Sequence, residues 1–577
     1  MPPRNVVKDG VGKLGLNFWR IAGRAAGGAS MRLMSCIAFA LFLGSSLAAF
    51  AAEPDSLEAL VGQSDAIRAA VQDRLSAKFT DASEARKSEQ GALVEYYSVA
   101  DNRLLWVDEH GLNDRAKSVI EEIRKADEYG LRSTDYALPK SPSVEESRHP
   151  KWLADAEIKI SFAVLGYARD ARGGRIDPER LDPNLDPTLA LPDPMEVIES
   201  IAFRSDAAAY LRSFQPDQPQ FEALRKALIA SRGGVDKDIV KIPDGPTLKL
   251  GVDHEQVALL RQRLEVPASD GKDTLFDASL HAAVQRFQEA HGVLPDGSVG
   301  GGTRRLLNQQ HQQTANPSKA RLILLNMERW RWLPHDLGSF YVNVNIPEFL
   351  VRVVADGKPI HTARVVVGKP DKQTPILSNE MQEIVFNPYW NVPNSIKTEE
   401  IRPFLTEEGG WFGGGGWNTA VLERHNLRIN IGGREVDPAR IDWNRVDIRS
   451  LNIYQPPGPD NVLGNLKFVF PNKHDVYMHD TTQKNLFAKT IRAESHGCMR
   501  VQNPDQLALT LLKVDQGWTA GRVAAAIQGG PDQHIALRQK IPVYITYFTL
   551  WVNDDGSMST FGDIYGHDAR MAAALRP

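Results

Sequence analysis

Glu494-Ser495-His496-Gly497-Cys498-Met499-Arg500 sets a cysteine directly behind a glycine and two residues after a histidine. A second histidine lies upstream, in Tyr477-Met478-His479-Asp480. The only other cysteine of the 577 residues, Cys36, falls inside a hydrophobic N-terminal stretch. Exported proteins pair their cysteines or avoid them, so a solitary thiol beside histidines asks for a chemical reason. An inert buried cysteine is the bland alternative.

Export rests on the N-terminus. From Met31 the chain reads Met-Arg-Leu-Met-Ser-Cys, then an apolar run to Phe50, then Ala51-Ala52-Glu53-Pro54. A basic start, a signal-length core and small residues around Ala49-Phe50-Ala51 predict a signal peptide within residues 1–52. The core, broken by Gly44, Ser45 and Ser46, is short for a membrane span, and an uncleaved anchor is the alternative. Residues 1–30, with scattered Arg and Lys, read as an extended n-region or as a misplaced start. Leu33-Met34-Ser35-Cys36 resembles a lipoprotein signal but precedes the apolar run, which excludes lipidation.

Residues 1–52 hold six Lys/Arg and one Asp, of 68 basic and 72 acidic residues in all. The remainder therefore carries 62 basic against 71 acidic groups, a net of −9. That balance argues against nucleic acid as a partner, because phosphate affinity needs clustered positive charge. A chain this long implies several domains, since single cores stop growing near ~250–300 residues.

Residues 53–242 read as a helical scaffold. Asn113 to Arg124 spaces its apolar residues helically with Gly130 as a stop, and Ile158 to Ala168 makes an apolar helix ending near Gly173-Gly174. Pro-rich punctuation follows from Pro178 to Pro194, and no catalytic cluster stands out. Residues 247–310 carry three short helical patterns: Val257, Leu260 and Leu264; then Leu280, Val284 and Phe287, capped by Asp277 and stopped by Gly292; then Thr303 to Leu307. From about 320 the pattern alternates with period two, in Phe340 to Ile346, Leu350 to Val354 and His361 to Val367, with the turn Ala355-Asp356-Gly357 between the last two. Glu383 to Phe386, Leu466 to Phe470 and Asp475 to Met478 continue the series. Residues 320–577 are therefore expected to form a β-rich domain, and the whole chain a multidomain α+β protein.

Within that domain, about 392–453 do not look like sheet. A helical piece, Thr398 to Phe404, precedes Gly409-Gly410-Trp411-Phe412-Gly413-Gly414-Gly415-Gly416-Trp417. We read the segment as a mobile insert bearing exposed tryptophans, against a plain flexible linker. No Gly-Lys-Ser/Thr follows the glycines, so they are not a phosphate loop.

The chemistry then turns on the thiol. An ordinary cysteine, pKa ~8.5, supplies little thiolate at neutral pH, and a histidine in hydrogen-bond reach corrects this. His496 is too near in sequence to aim easily at Cys498. His479, 19 positions upstream at a strand end, can meet the sulfur across the fold, so it is assigned as base. His496 becomes a shaping or substrate-contacting residue. Gly497 lets the backbone turn sharply, so that nearby amides can face a developing oxyanion. Asn503-Pro504-Asp505-Gln506 reads as a helix start with Asn503 as its cap.

These residues resemble the signature of the L,D-transpeptidases, cysteine enzymes of the YkuD fold. Phe386-Asn387-Pro388-Tyr389-Trp390-Asn391-Val392-Pro393, Pro456-Pro457-Gly458-Pro459 and Asn485-Leu486-Phe487 resemble the large YcbB-type subgroup. Leu260-Arg261-Gln262-Arg263-Leu264, Ala283 to Gly292 and Asp296-Gly297-Ser298-Val299-Gly300 resemble the three-helix peptidoglycan-binding module. The resemblance implies a β-rich YkuD-like catalytic domain with a capping insert, that module and a helical scaffold. It implies that Cys498 attacks diaminopimelate in a tetrapeptide donor stem and expels D-Ala. The thioester then passes to the side-chain amine of an acceptor stem, giving a 3→3 cross-link. By the same resemblance, amides of Gly497 and Cys498 hold the oxyanion, Arg500 occupies the site's polar position, and Tyr477 and Ser495 line the pocket. No metal or other cofactor is implied, carbapenems are expected to acylate Cys498, and the place is the periplasm, against the wall. The resemblance leaves the oligomeric state open. Asp480 departs from the Gly or Ser common after the base histidine. Either its carboxylate or only its carbonyl faces the imidazole.

Other readings keep or replace the site. Water as acceptor would make an L,D-carboxypeptidase, a protein lysine an anchoring enzyme, and a degenerate site a wall-binding scaffold. Ser269-Asp270-Gly271-Lys272 fits Ser-x-x-Lys but lacks a Lys-Thr-Gly partner. There is no His-Glu-x-x-His, and His474 and His479, five apart on one strand, would face opposite sides.

Overall fold

Alternating apolar residues in the C-terminal half build a sheet around the segments that carry His479 and Cys498. In the computed structural model Phe340–Asn345 pairs antiparallel with Leu350–Ala355, setting Val342 opposite Val353 and Val344 opposite Val351, all buried. Each such side chain removed from water contributes ~1.5–3 kcal/mol. Asp356 and Gly357, both at positive φ, turn the chain into Lys358–Gly368, as a two-residue hairpin requires. The structure describes residues 54–575 except 78–82, 144, 146–147, 234–239, 269–270, 291–294, 315–318 and 409–415. The expected signal peptide at 1–52, the expected stop at Gly292, Ser269-Asp270 and the Gly409–Gly415 run with Trp411 lie outside those residues.

The strand pairings close on themselves. Leu466–Val469 pairs with Met478–His479, which runs parallel to Met499–Val501. The order continues through Lys358–Gly368, Leu350–Ala355, Phe340–Asn345, Gln533–Thr546 and Ile376–Phe386, and the last pairs back to Leu466–Val469. Helix Pro504–Gln516 gives Leu507, Ala508, Leu511 and Leu512 to the core these strands share. Two residues from the Pro-rich stretch, Leu185–Asp186, join the edge in parallel with Ile376–Leu377. That strand was not expected inside a helical region.

Elsewhere the chain is mainly helical. Asp114–Arg124 is capped by Asn113, whose side chain accepts from the Ala116 amide, and Pro150–Gly173 stops at Gly174. Glu255–Leu264, Ala278–Ala290 and Gly301–Thr314 surround their own cluster of Val257, Leu260, Phe276, Leu280, Val284 and Leu307. Asp277 Oδ1 accepts from the Leu280 amide at 2.9 Å, the expected cap. The insert also has its own cluster, around Ile401, Leu405, Leu422, Ile429, Trp443 and Ile453. It carries the strands Arg428–Ile431, Arg434–Val436 and Asn452–Gln455, so it is not without sheet.

Two local expectations need correction. Of the expected Asp475–Met478 strand only Met478 is in the ladder, which runs on to His479; Asp475 sits at φ +53 in a turn closed by the Asn472 side chain. His474 is therefore not on the strand with His479, and its Nε2 lies 3.1 Å from Asp186. Asn503 precedes the helix as expected but at φ +49, with no side-chain bond to the first turn. Left-handed backbone turns its side chain away from the amides that a cap would serve.

Candidate active site

The parallel pairing of Met478–His479 with Met499–Val501 brings the two sequence segments together. Met478 faces Met499 and His479 faces Arg500, while Lys467 faces His479 from the other side. Side chains two apart share a face of a strand, so Tyr477 and Cys498 project beside one another next to this row. Met478 and Met499, on the opposite face, are fully buried in the core.

His479 is buried, and its Nδ1 binds the main-chain oxygen of Asp480. A carbonyl only accepts, so Nδ1 carries the proton and Nε2 keeps its lone pair. The Asp480 carboxylate is occupied elsewhere. It accepts from the amides of Asn465 at 3.0 Å and Thr481 at 2.7 Å, and pairs with Lys484. Of the two roles open for Asp480, the structure supplies the carbonyl.

The half-buried Cys498 sulfur has Tyr477 and Asp475 as neighbours, with Asp475 O at 4.0 Å. The amide and hydroxyl of Tyr477 face it and favour its thiolate, and the Trp390 side chain lies toward that hydroxyl. Burial pushes the thiol up to about 11, against the pull of the Tyr477 amide and hydroxyl, Lys467 and Arg500. Burial also pushes His479 down to about 3, helped by Arg500 and opposed by the bond to Asp480. Burial thus favours the neutral form of both the thiol and the imidazole.

Gly497 takes φ +113, a conformation that strains other residues, and a Cβ there would sit 3.4 Å from the Gln373 carbonyl. Thr374 braces the turn, donating to Gly497 O at 2.7 Å. Ser495, buried, donates to Cys498 O at 2.6 Å and accepts from the Gly497 amide at 3.2 Å. Ser495 thus staples the turn, and its hydroxyl engages the Gly497 amide. His496 points outward to Glu400 of the insert, Nε2 to Oε1 2.6 Å. Arg500 Nη1 donates to Gln483 at 2.5 Å. A cleft of about 310 Å³, lined by Gln373, His474, Val476 and His496, opens beside Gly497.

Sequence reading missed three contributors. Trp390 was quoted without a role, and Thr374 carries no local signal. Lys467 interrupts the apolar run Leu466 to Phe470, which marks it as facing away from the core, but only the strand register shows that it faces His479. Among the described residues no group of three His, Cys, Asp or Glu could hold a metal ion.

Residues 339–519 match the L,D-transpeptidase catalytic domain family, YkuD. Residues 253–307 match a family described as "Putative peptidoglycan binding domain", and residues 91–228 a scaffold domain. A Haemophilus influenzae protein named "Putative L,D-transpeptidase" is 32% identical over 253 residues, covering 44% of this chain and 49% of that protein. The chain thus spans about half the length of this curated relative. Among solved structures, an L,D-transpeptidase fragment from Xylanimonas cellulosilytica is 14% identical, covering 52% of this chain and 99% of its own, with a TM-score of 0.14. A fused Zn-dependent amidase/peptidase/peptidoglycan-binding protein from Clostridium acetobutylicum is 14% identical, covering 52% and 100%, with a TM-score of 0.13.

Proposed function

We propose that the chain, whose residues 339–519 and 253–307 match the L,D-transpeptidase catalytic domain and a putative peptidoglycan-binding domain, forms 3→3 cross-links between peptidoglycan stem peptides through a Cys498 thioester. The observation that carries this reading is the tautomer of His479. With Nδ1 fixed on the Asp480 carbonyl, Nε2 is the basic nitrogen on the strand beside Cys498.

In the first step the Cys498 proton passes to His479 Nε2 as sulfur bonds to the diaminopimelate carbonyl carbon. The Cys498 amide stabilises the oxyanion, a contribution of roughly 2.7–4 kcal/mol for such donors in other enzymes. Collapse breaks the bond to the terminal D-Ala, whose amine takes the proton back from His479. In the second step an acceptor-stem amine attacks the thioester, His479 accepts its proton, and the returning thiolate is reprotonated. The neutral resting pair suits this cycle, because no charge is stranded between turnovers.

The 247–310 unit would hold the enzyme on glycan, in the periplasm. No helix of the described residues is long and apolar enough to cross a membrane. Incubating purified protein with tetrapeptide-rich sacculi and analysing muropeptides by mass tests the proposal. New 3→3 dimers with wild type and none with Cys498→Ala are expected. Tripeptides without dimers would instead indicate hydrolysis, and no change at all would indicate a wall-binding scaffold. A carbapenem adduct on Cys498, also expected, would identify the acylated thiol independently.

A further inference from the structure

Lys467 has no task in the reaction just described, yet its surroundings are unusual for a lysine. Leu466 and Phe468 enter the core and turn Lys467 to the other face, beside His479 and in one row with Arg500. Its Nζ lies 4.2 Å from the centroid of the Tyr477 ring, whose hydroxyl faces the sulfur. The two carboxylates on its flank, Glu383 and Asp532, are both held by His534, at 3.1 and 3.3 Å. Among the described residues no carboxylate forms an ion pair with Lys467. An ammonium partly stripped of water and stacked on a ring, without a counter-anion, is set to receive negative charge from elsewhere. In the resting site the sulfur is neutral, so that charge arises only during turnover.

We propose that Lys467 is a positioning residue for the nucleophile, its ammonium held on the Tyr477 ring, free of carboxylates, to face the Cys498 sulfur whenever that sulfur is negative. The charge appears twice: as the thiol proton moves to His479 Nε2, and again as the thioester C–S bond breaks. Lys467 makes and breaks no bond; its charge favours the thiolate, and because the same charge disfavours an imidazolium on His479, its benefit lies at the sulfur alone. The effect is reciprocal. Burial disfavours the Lys467 charge, and a thiolate at Cys498 favours it. Arg500 acts in the same direction from the adjacent strand but is also bonded to Gln483.

The inference rests on Cys498 as the nucleophile, but its test reads the thiol directly and needs no cross-linking. In the full chain, iodoacetamide labelling of Cys498 is followed by peptide mass mapping across pH, for wild type, Lys467→Met and Lys467→Arg. With Lys467→Met the midpoint of the labelling profile should rise by about one pH unit, slowing labelling at neutral pH ~10-fold. Lys467→Arg should restore most of that loss. An unchanged midpoint in Lys467→Met would overturn the proposal, as would a midpoint raised equally in Lys467→Arg, since packing alone would then account for the change. Should sacculus digestion fail to give dimers while the midpoint shifts as stated, the cross-linking reading falls and the role of Lys467 stands.

Discussion

Glu400 reaches His496 at 2.6 Å, tying the insert to the turn that carries Cys498. One residue earlier, Glu399 pairs with Lys372 at 2.6 Å on the loop beneath that turn. Both pairs are partly exposed, and each exposed pair contributes only ~0.2–1 kcal/mol. They can therefore bias the insert without locking it. The Glu399→Gln/Glu400→Gln double variant should raise amide hydrogen exchange in Lys397–Ile401 by roughly 2- to 5-fold, and added salt should do the same to wild type. Exchange unchanged in the double variant would mean that the insert is held by other contacts.

The neutral resting pair sets the pH dependence. A thiol pushed up to about 11 stays protonated, and an imidazole pushed down to about 3 stays basic, throughout the intervening range. Acylation of Cys498 by a carbapenem, followed by mass, should be flat between pH 5 and 8, with no inflection near the ordinary histidine value of about 6.5. An inflection there would show that His479 is charged in the free enzyme.

Stability follows from the same burial. His479 is lowered to about 3 and His567 to about 4, while the unfolded chain binds those protons near about 6.5. As pH falls through that window the unfolded state binds more protons, so stability is lost, by ~1 kcal/mol per pH unit per histidine. Glu157 and Asp170 act oppositely. Burial raises them to about 7 and about 6, so they stabilise the protonated fold and lose that contribution as pH rises. His479→Gln should flatten the acid limb of the Tm–pH curve relative to wild type, and an unaltered limb would remove His479 from its cause.

Asp480 acts through its backbone, which separates orientation of the imidazole from the carboxylate's staple. Asp480→Ala should cost about 1–3 kcal/mol, because the Asn465 and Thr481 amides lose their acceptor. The pH profile of acylation should keep its shape, since the carbonyl that orients His479 remains. A shifted profile with unaltered stability would assign the carboxylate an electrostatic role instead.

The site was legible in the sequence where chemistry is local. Gly497 announces a turn, which the chain makes at φ +113, and His479 reads as a strand end, which it is. What depended on pairing was not legible. The closed order of strands joins Leu466–Val469 to Ile376–Phe386 across 80 or more positions, and no periodicity encodes a neighbour that distant. Leu185–Asp186 is too short to show alternation and sits among prolines. The bonds of the Ser495 hydroxyl were not legible either, because burial obliges it to satisfy the turn's own backbone.

The insert approaches Cys498 by a second route, from Trp390 to the Tyr477 hydroxyl to the sulfur. Trp390 stands at the root of the insert, paired with Gln455 where the chain returns. The hydroxyl can donate to the sulfur while it accepts from the indole N–H, so losing either bond weakens the other. Hydrogen bonds to a charged group contribute ~1.5–3 kcal/mol, so Tyr477→Phe should slow acylation ~10- to 100-fold. Trp390→Phe should slow it less, because the hydroxyl still reaches sulfur but is no longer oriented. If the two act in series, the double variant should be no slower than Tyr477→Phe alone. Additive losses would show that Trp390 serves the site by another path, such as contact with the stem peptide.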